Sequence, residues 1–389
     1  MQNIRAGSGL GVGADWRPAL ASAVTQALQP LDGEAPDLVV TFASAAYQED
    51  FSELLEEVLQ VTRATEHAGC SASAVIAGDR ELESDAGVAV LALRLPRGAL
   101  LSVRHVSPDQ VNDSGLAGLS PAACNGALVL ADPFTTDIDA LVSTLEREYP
   151  GAPIVGGLAT GSPVARATSV FCGPRVYDAG AVVIGVGGSV RLQPVVSQGC
   201  EPIGQVWTIT DANQHIVHSI GGRPAYEVLV ETLRQLDSPQ RDRASGNLLV
   251  GLAMNEYRDE FKRGDFLIRN LIGVDPRSGA IAVGAEPRVG QTIQFQIRDA
   301  HAADEELRHM LRDLPGAEAS SVAAALLFAC NGRGAGLFGA PDHDAKTVRE
   351  VLGPLPLAGL FCNGEIGPVG AATFLHGFTA SLALLVPTD

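Results

Sequence analysis

The chain has 389 residues, enough for two or three domains at roughly 150 residues each. Its 46% apolar and 19% charged composition excludes wholesale disorder, and a net charge of −18 sets the surface against nucleic-acid backbones and anionic membranes. Lys262 and Lys346 are the only lysines and neither follows a glycine, which excludes a phosphate-binding P-loop.

Residues 1–14 carry Arg5 but lack the apolar run of a signal peptide. Gly7, Gly9, Gly11 and Gly13 have no strand before them, so residues 1–34 read as a flexible lead-in. No stretch reaches the ~18 apolar residues of a membrane span. Cys70, Cys124, Cys172, Cys200, Cys330 and Cys362 are scattered without a C-x-x-C pair, as expected of reduced thiols in a cytoplasmic protein.

A repeat follows. Residues 37–42 (DLVVTF) form an apolar run, and Phe51, Leu54, Leu55, Val58 and Leu59 share the spacing of one buried helix face. Gly69-Cys70-Ser71-Ala72, a charged loop and a strand over residues 87–95 complete the unit. The pattern returns over residues 126–131, a helix over 138–149, the turn 156–161 and a strand over 180–186. It returns again over residues 323–330, a helix over 344–352, the segment 359–364 and a strand over 377–386. A strand, a helix and a second strand make a crossover that packs a helix on a sheet, and ligands bind outside the carboxyl ends of such strands.

Between the second and third units the character changes. Residues 207–210 and 216–220 flank Asp211-Ala212-Asn213 as a hairpin, and a helix over 225–236 opens after Pro224. Residues 238–247 read as a surface connection. Strands are expected over 247–254, 266–274, 280–283 and 291–297, with a helix over 302–314. The domain boundary falls near residue 223, giving 35–222 and 223–386.

The motifs resemble the FIST family (F-box and intracellular signal transduction), in both its N-terminal and C-terminal halves. The carrying segments are Gly69-Cys70-Ser71, Gly156-Gly157-Leu158-Ala159-Thr160-Gly161, Gly221-Gly222-Arg223-Pro224-Ala225 and residues 261–275. Asn331-Gly332-Arg333-Gly334, Asn363-Gly364-Glu365-Ile366-Gly367-Pro368 and Leu375-His376-Gly377 join them, and the match spans roughly residues 35–386. One departure is Ala72-Ser73-Ala74-Val75, where a Gly-Glu is common in the family. The resemblance implies a cytoplasmic sensory module for a small ligand, an amino acid or its derivative, signalling through a separate protein because no output domain is attached. The fold class is α/β: repeated strand-helix-strand-strand units forming mixed sheets with packed helices, in two FIST halves. A scaffold without ligand and an enzyme using Cys362 or Glu365 with His376 are the alternatives. Ligand, partner and oligomeric state are left open.

Arg333, between two glycines after a strand, suits a carboxylate, and Glu365 could hold an ammonium, the two making a zwitterion clamp. Each could equally serve an internal ion pair. Asn331 and Asn363 supply amides or close their own turns. Cys362 and Cys70 occupy comparable places in two units, either as thiols served by His376 or as inert core cysteines. Gly157 and Thr160, in the matching turn of the second unit, complete the candidate ligand-binding set. Lys262, Arg263, Asp265, Arg269 and Asn270 alternate with apolar residues, placing polar groups on one strand face. Residues 334–339 spell G-x-G-x-x-G, but Pro341-Asp342-His343 intervenes before the helix, against a dinucleotide. His215 and His218 would face opposite sides of a strand, against zinc. No cofactor, metal or catalytic set is expected.

Overall fold

The computed structural model describes residues 4–161, 167–256, 260–261, 264–314 and 321–388. The glycine-rich start, expected to be a flexible lead-in, is a strand. β1 (Arg5–Val12) precedes α1 (Trp16–Leu28), whose first turn is capped by the Asp15 carboxylate on Arg17 N at 3.0 Å. A Cβ on Gly7, Gly9 or Gly11 would run into the carbonyl oxygen of Ala27, Ala23 or Ala19. These glycines let a helix face of alanines lie directly on the strand.

The first repeat continues with β2 (Leu38–Ser44), α2 (Phe51–Thr62), β3 (Glu66–Ala72), the hairpin β4 (Val75–Ala77) and β5 (Arg80–Leu82), and β6 (Gly87–Arg94). The second is β7 (Ala99–Val106), β8 (Cys124–Ala131), α3 (Ile138–Glu148), β9 (Ile154–Leu158), the hairpin β10 (Val170–Cys172) and β11 (Arg175–Tyr177), and β12 (Ala181–Gly188). After β13 (Val190–Ser197) the chain forms β14 (Cys200–Asn213), β15 (Ile216–Ile220), β16 (Arg223–Pro224), α4 (Ala225–Gln235) and α5 (Ser238–Ala244). β17 (Leu248–Ala253), β18 (Phe266–Asp275), β19 (Ala280–Val283), β20 (Thr292–Arg298) and α6 (Ala300–Arg312) follow. The third repeat is β21 (Ala324–Cys330), α7 (Gly334–Phe338), α8 (His343–Leu352), β22 (Leu357–Cys362), the hairpin β23 (Glu365–Val369) and β24 (Ala372–His376), and β25 (Ala380–Pro387). Residues 238–247 are thus no plain connection: an Asp237–Gln240 capping box starts a helix there.

Two compact units result, one of Met1–Val196 with Leu307–Asp389 and the other of Ser197–Glu306. The first unit holds three six-stranded sheets of one plan, β1-β6-β2-β3-β10-β11, β7-β12-β8-β9-β23-β24 and β13-β25-β21-β22-β4-β5. In each, the two crossover strands are parallel and the repeat's last strand runs antiparallel beside the first. The outer hairpin is borrowed. The first repeat lends β4–β5 to the third, the second lends β10–β11 to the first, and the third lends β23–β24 to the second.

Each crossover strand is buried on both faces, which explains its unbroken apolar run. Inward residues of all three sheets, among them Phe42, Leu128 and Phe328, form one central core. The Phe42 and Phe328 rings meet edge-on with centroids 6.4 Å apart. Outward residues pack on helices: Val39 and Ala43 against α1 and α2, Val129 and Val183 against α3, Leu327 and Leu384 against α6 and α8. Burying each such side chain contributes roughly 1.5–3 kcal/mol. One glycine per repeat, Gly69, Gly156 and Gly359, sits where a Cβ would strike the carbonyl of Thr41, Val129 or Leu327 on the neighbouring strand.

The second unit pairs β14, β20, β17, β18, β19, β15 and β16 into a seven-stranded sheet, with α4 on its core face. Lys262 and Arg263 lie outside the described residues. Among the described helices, none is long and apolar enough to cross a membrane.

Candidate functional site

The three equivalent glycines set the correspondence between repeats. Counting four residues on from each gives Ser73, Thr160 and Asn363, which occupy one place in the plan at the carboxyl ends of β3, β9 and β22. The same count pairs Cys362 with Ala72, not with Cys70, so the two cysteines expected in comparable places are not equivalent. Cys70 belongs to the central core, and burial raises its thiol pKa.

These strand ends meet. Ser73 donates its backbone N–H to Thr160 Oγ1 at 2.8 Å, and Thr160 Oγ1 donates to the Phe361 carbonyl at 2.9 Å. Ser73 Oγ lies 3.3 Å from Asn331 Oδ1, and Asn331 Nδ2 donates to Asn363 Oδ1 at 2.7 Å. Ser71 Oγ, donating to the Thr160 carbonyl at 2.9 Å, ties the turn from below. Thr160 is buried, whereas Ser73, Asn331 and Asn363 are exposed. All three repeats therefore contribute to one neutral, hydrogen-bonding patch.

Beneath it lies a charged layer. Arg333 Nε and Nη2 donate to Asp344 Oδ2 and Oδ1 at 2.6 and 2.9 Å, and neither side chain reaches solvent. The Arg333 guanidinium also stands over the Phe338 ring, 5.3 Å from its centroid. Burial alone would raise the Asp344 carboxyl, but the Arg333 charge and hydrogen bonds outweigh it and hold the group below the usual carboxylate range. The internal ion pair is thus the arrangement Arg333 adopts. G-x-G-x-x-G is the short α7, ended by Gly339 at φ 68°.

Glu365 is fully buried; Oε2 accepts Thr379 N at 3.1 Å and Oε1 receives the Cys362 thiol at 3.4 Å. Burial pushes its pKa up to about 8, so at neutral pH it is chiefly a neutral acid. A neutral Glu365 beside a committed Arg333 does not present the expected zwitterion clamp. Burial and the nearby Glu365 raise the Cys362 thiol, and burial pushes Cys330, its partner in the β21–β22 register, to about 11. His376 lies opposite Glu365 in the β23–β24 ladder, but its Nε2 bonds the Gly367 carbonyl at 2.9 Å rather than Cys362. Gly157 lies opposite Glu365 on the other side, and a Cβ there would come 3.1 Å from Cys362 Sγ.

Sequence reasoning missed the groups supplied by the borrowed hairpin β4–β5. Glu81 Oε1 accepts Ala345 N at 2.9 Å at the start of α8, and Glu83 accepts Ala335 N at the start of α7. Burial and the negative Asp344 push Glu81 up to about 8. Ser73 stood in the segment read as a departure from the family pattern, and Asp344 entered only as the start of an expected helix.

The comparisons place this arrangement among relatives. The FIST N domain matches residues 37–223 and the FIST C domain residues 225–368. The chain belongs to the FIST family. The two FIST models meet inside the Ser197–Glu306 unit, so the sequence halves and the compact units divide the FIST chain differently. The uncharacterized protein Mb0898c of Mycobacterium bovis is 37% identical over 386 residues, 98% of this chain and 99% of its own. Rv0628c of Mycobacterium tuberculosis is 36% identical over 390 residues, 98% of this chain and 100% of its own. Among solved structures, a cyanuric acid hydrolase from A. caulinodans is similar at a TM-score of 0.37 and 9% identity, covering 99% of both chains. A chorismatase is similar at 0.33 and 8%, also covering 99% of both. Similarity that low carries neither fold nor chemistry over to this FIST protein.

Proposed function

We propose that this FIST protein is a cytoplasmic sensor that binds a small polar ligand on the patch of Ser73, Thr160, Asn331 and Asn363 and signals through a separate protein. The supporting observation is the meeting of three repeats there: exposed amides and a hydroxyl stand on a rigid, buried base. Amides and hydroxyls can each donate and accept, so the ligand is read by hydrogen bonds. With Arg333 engaged by Asp344 and Glu365 chiefly protonated at neutral pH, an amino acid would be recognised through its polar edges rather than by paired charges.

Calorimetry and thermal-shift measurements on the full chain, with amino acids, carboxamides and nucleosides as probes, test the reading. Asn363→Ala and Asn331→Ala should each weaken a bound probe by tenfold or more. The assignment is overturned if every amino acid or nucleoside that binds keeps its affinity through both substitutions and Ser73→Ala, or if none of them binds.

A further inference from the structure

The Ser197–Glu306 unit has a cavity of its own. On one face of its sheet, Val250, Leu252, Ile293, Phe295 and Ile297 form the unit's core with Val228 and Leu229 of α4. Strand alternation turns Gln294, Gln296, Phe266 and Ile268 to the other face. There they line a cavity of about 80 Å³ that is also bounded by Gln198 and Glu306. Gly251 helps to shape it: a Cβ there would come 2.9 Å from Phe266 Cβ and 3.0 Å from Gln296 Nε2.

The polar groups on this wall are under-used. Gln296 is 3% exposed, and its side-chain amide makes no hydrogen bond among the described residues. Gln198 spends its Oε1 on Ile268 N at 3.3 Å, which leaves its NH2 group. Gln294 spends its Nε2 on the Gly204 carbonyl at 3.3 Å, which leaves its Oε1. Buried amides are normally satisfied, so a wall offering both donors and acceptors is matched to a guest that carries both. Phe261 and Phe266, with ring centroids 5.3 Å apart, add an apolar face. Glu306, held by Ser197 Oγ at 3.0 Å and Gly199 N at 2.7 Å, places a carboxylate on the wall and disfavours an anionic guest.

We propose that this cavity binds a neutral carboxamide or urea group borne on a flat apolar body, at a site separate from the strand-end patch. A water needs roughly 10–15 Å³ of such space, so the cavity has room for the head group of such a molecule. Its amide edge would complete Gln296, and its flat part would lie against the phenylalanines.

Benzamide and methylurea are the probes, with benzoate as the charged control, titrated into the full chain and followed by NMR and thermal shift. Benzamide should saturate, shift the Gln296 side-chain NH2 and Ile268 amide resonances, and bind at least tenfold more tightly than benzoate. Gln296→Met should lose at least tenfold in benzamide affinity while Tm holds or rises, because an amide that makes no hydrogen bond among the described residues gives way to an apolar side chain of like size. Asn363→Ala should leave benzamide binding intact, which separates this site from the patch. Failure of both neutral probes to saturate, equal binding of benzoate, or unchanged affinity or a lowered Tm in Gln296→Met would overturn the proposal.

Discussion

Arg333 and Asp344 form a two-pronged ion pair at 2.6 and 2.9 Å, with both side chains closed to solvent. A buried pair is costly to break because the surviving charge has no water to turn to. Arg333→Met should therefore cost about 3–5 kcal/mol of stability in urea denaturation, and Asp344→Leu a similar amount. The double variant should recover much of that loss, since it leaves neither charge behind.

Glu365 and Glu81 give stability an unusual pH dependence. Each carboxyl titrates at about 8 in the fold, against 4.5 ordinarily. Between those values the folded chain holds protons that the unfolded chain has released, so stability falls as pH rises and levels off above the folded value. Asp344 has the opposite sign, and its contribution is lost as pH falls below the ordinary carboxylate range. Glu365→Gln should flatten the decline of Tm on the alkaline side, its advantage over the parent growing from pH 5 to pH 8.5.

Gly156 tests the repeat plan directly. Gly156→Ala would drive a methyl into the Val129 carbonyl and should destabilise by ~3 kcal/mol or more. Gly336→Ala, in α7 with nothing within 4 Å of the new Cβ, should be neutral or stabilising by up to about 1 kcal/mol. Equal effects in chemical denaturation would refute the packing argument.

Deleting residues 1–34 should abolish folding of the first unit rather than trim a tail. The deletion strips β1 from the full ladder it makes with β6, and removes the α1 residues of an outer core. Circular dichroism and limited proteolysis of the shortened chain would register the loss.

Cys362 should resist alkylation at pH 7.5 in the folded protein and react readily once unfolded. Burial and the adjacent Glu365 raise its thiol, which leaves little thiolate to attack. Rapid modification of the native thiol, read by peptide mass, would restore the nucleophile reading.

The three crossover units were legible because their strands and helices carry strong apolar periods: Phe51, Leu54, Leu55 and Val58 line α2 as spaced. The hairpins were not. β4, β5, β10 and β11 are three residues long, and each pair finds its sheet in another repeat. No local period announces such pairing. Gly7, Gly9 and Gly11 were misread for a related reason, since a glycine that admits a helix looks in sequence like one that permits disorder. Within the site, Asn331 and Asn363, expected either to supply amides or to close their own turns, bond each other. Arg333 was read from its glycine-flanked place after a strand as suited to a carboxylate; the carboxylate it holds is that of Asp344, 11 positions on. The neutral state of Glu365 depends on burial created by a borrowed strand, and composition carries no trace of that.

The exchange of hairpins also sets a schedule for biosynthesis. β4–β5 is made early, yet the strand it joins is β22, and Glu81 bonds a backbone amide 264 residues further on. The first repeat therefore leaves the ribosome with its hairpin unclaimed, and waits through the whole Ser197–Glu306 segment for its acceptor. Loop closure over such spans makes late, slow docking the committing step. A nascent chain that ends before residue 357 lacks the strand with which β4–β5 pairs, so that hairpin has no sheet to join.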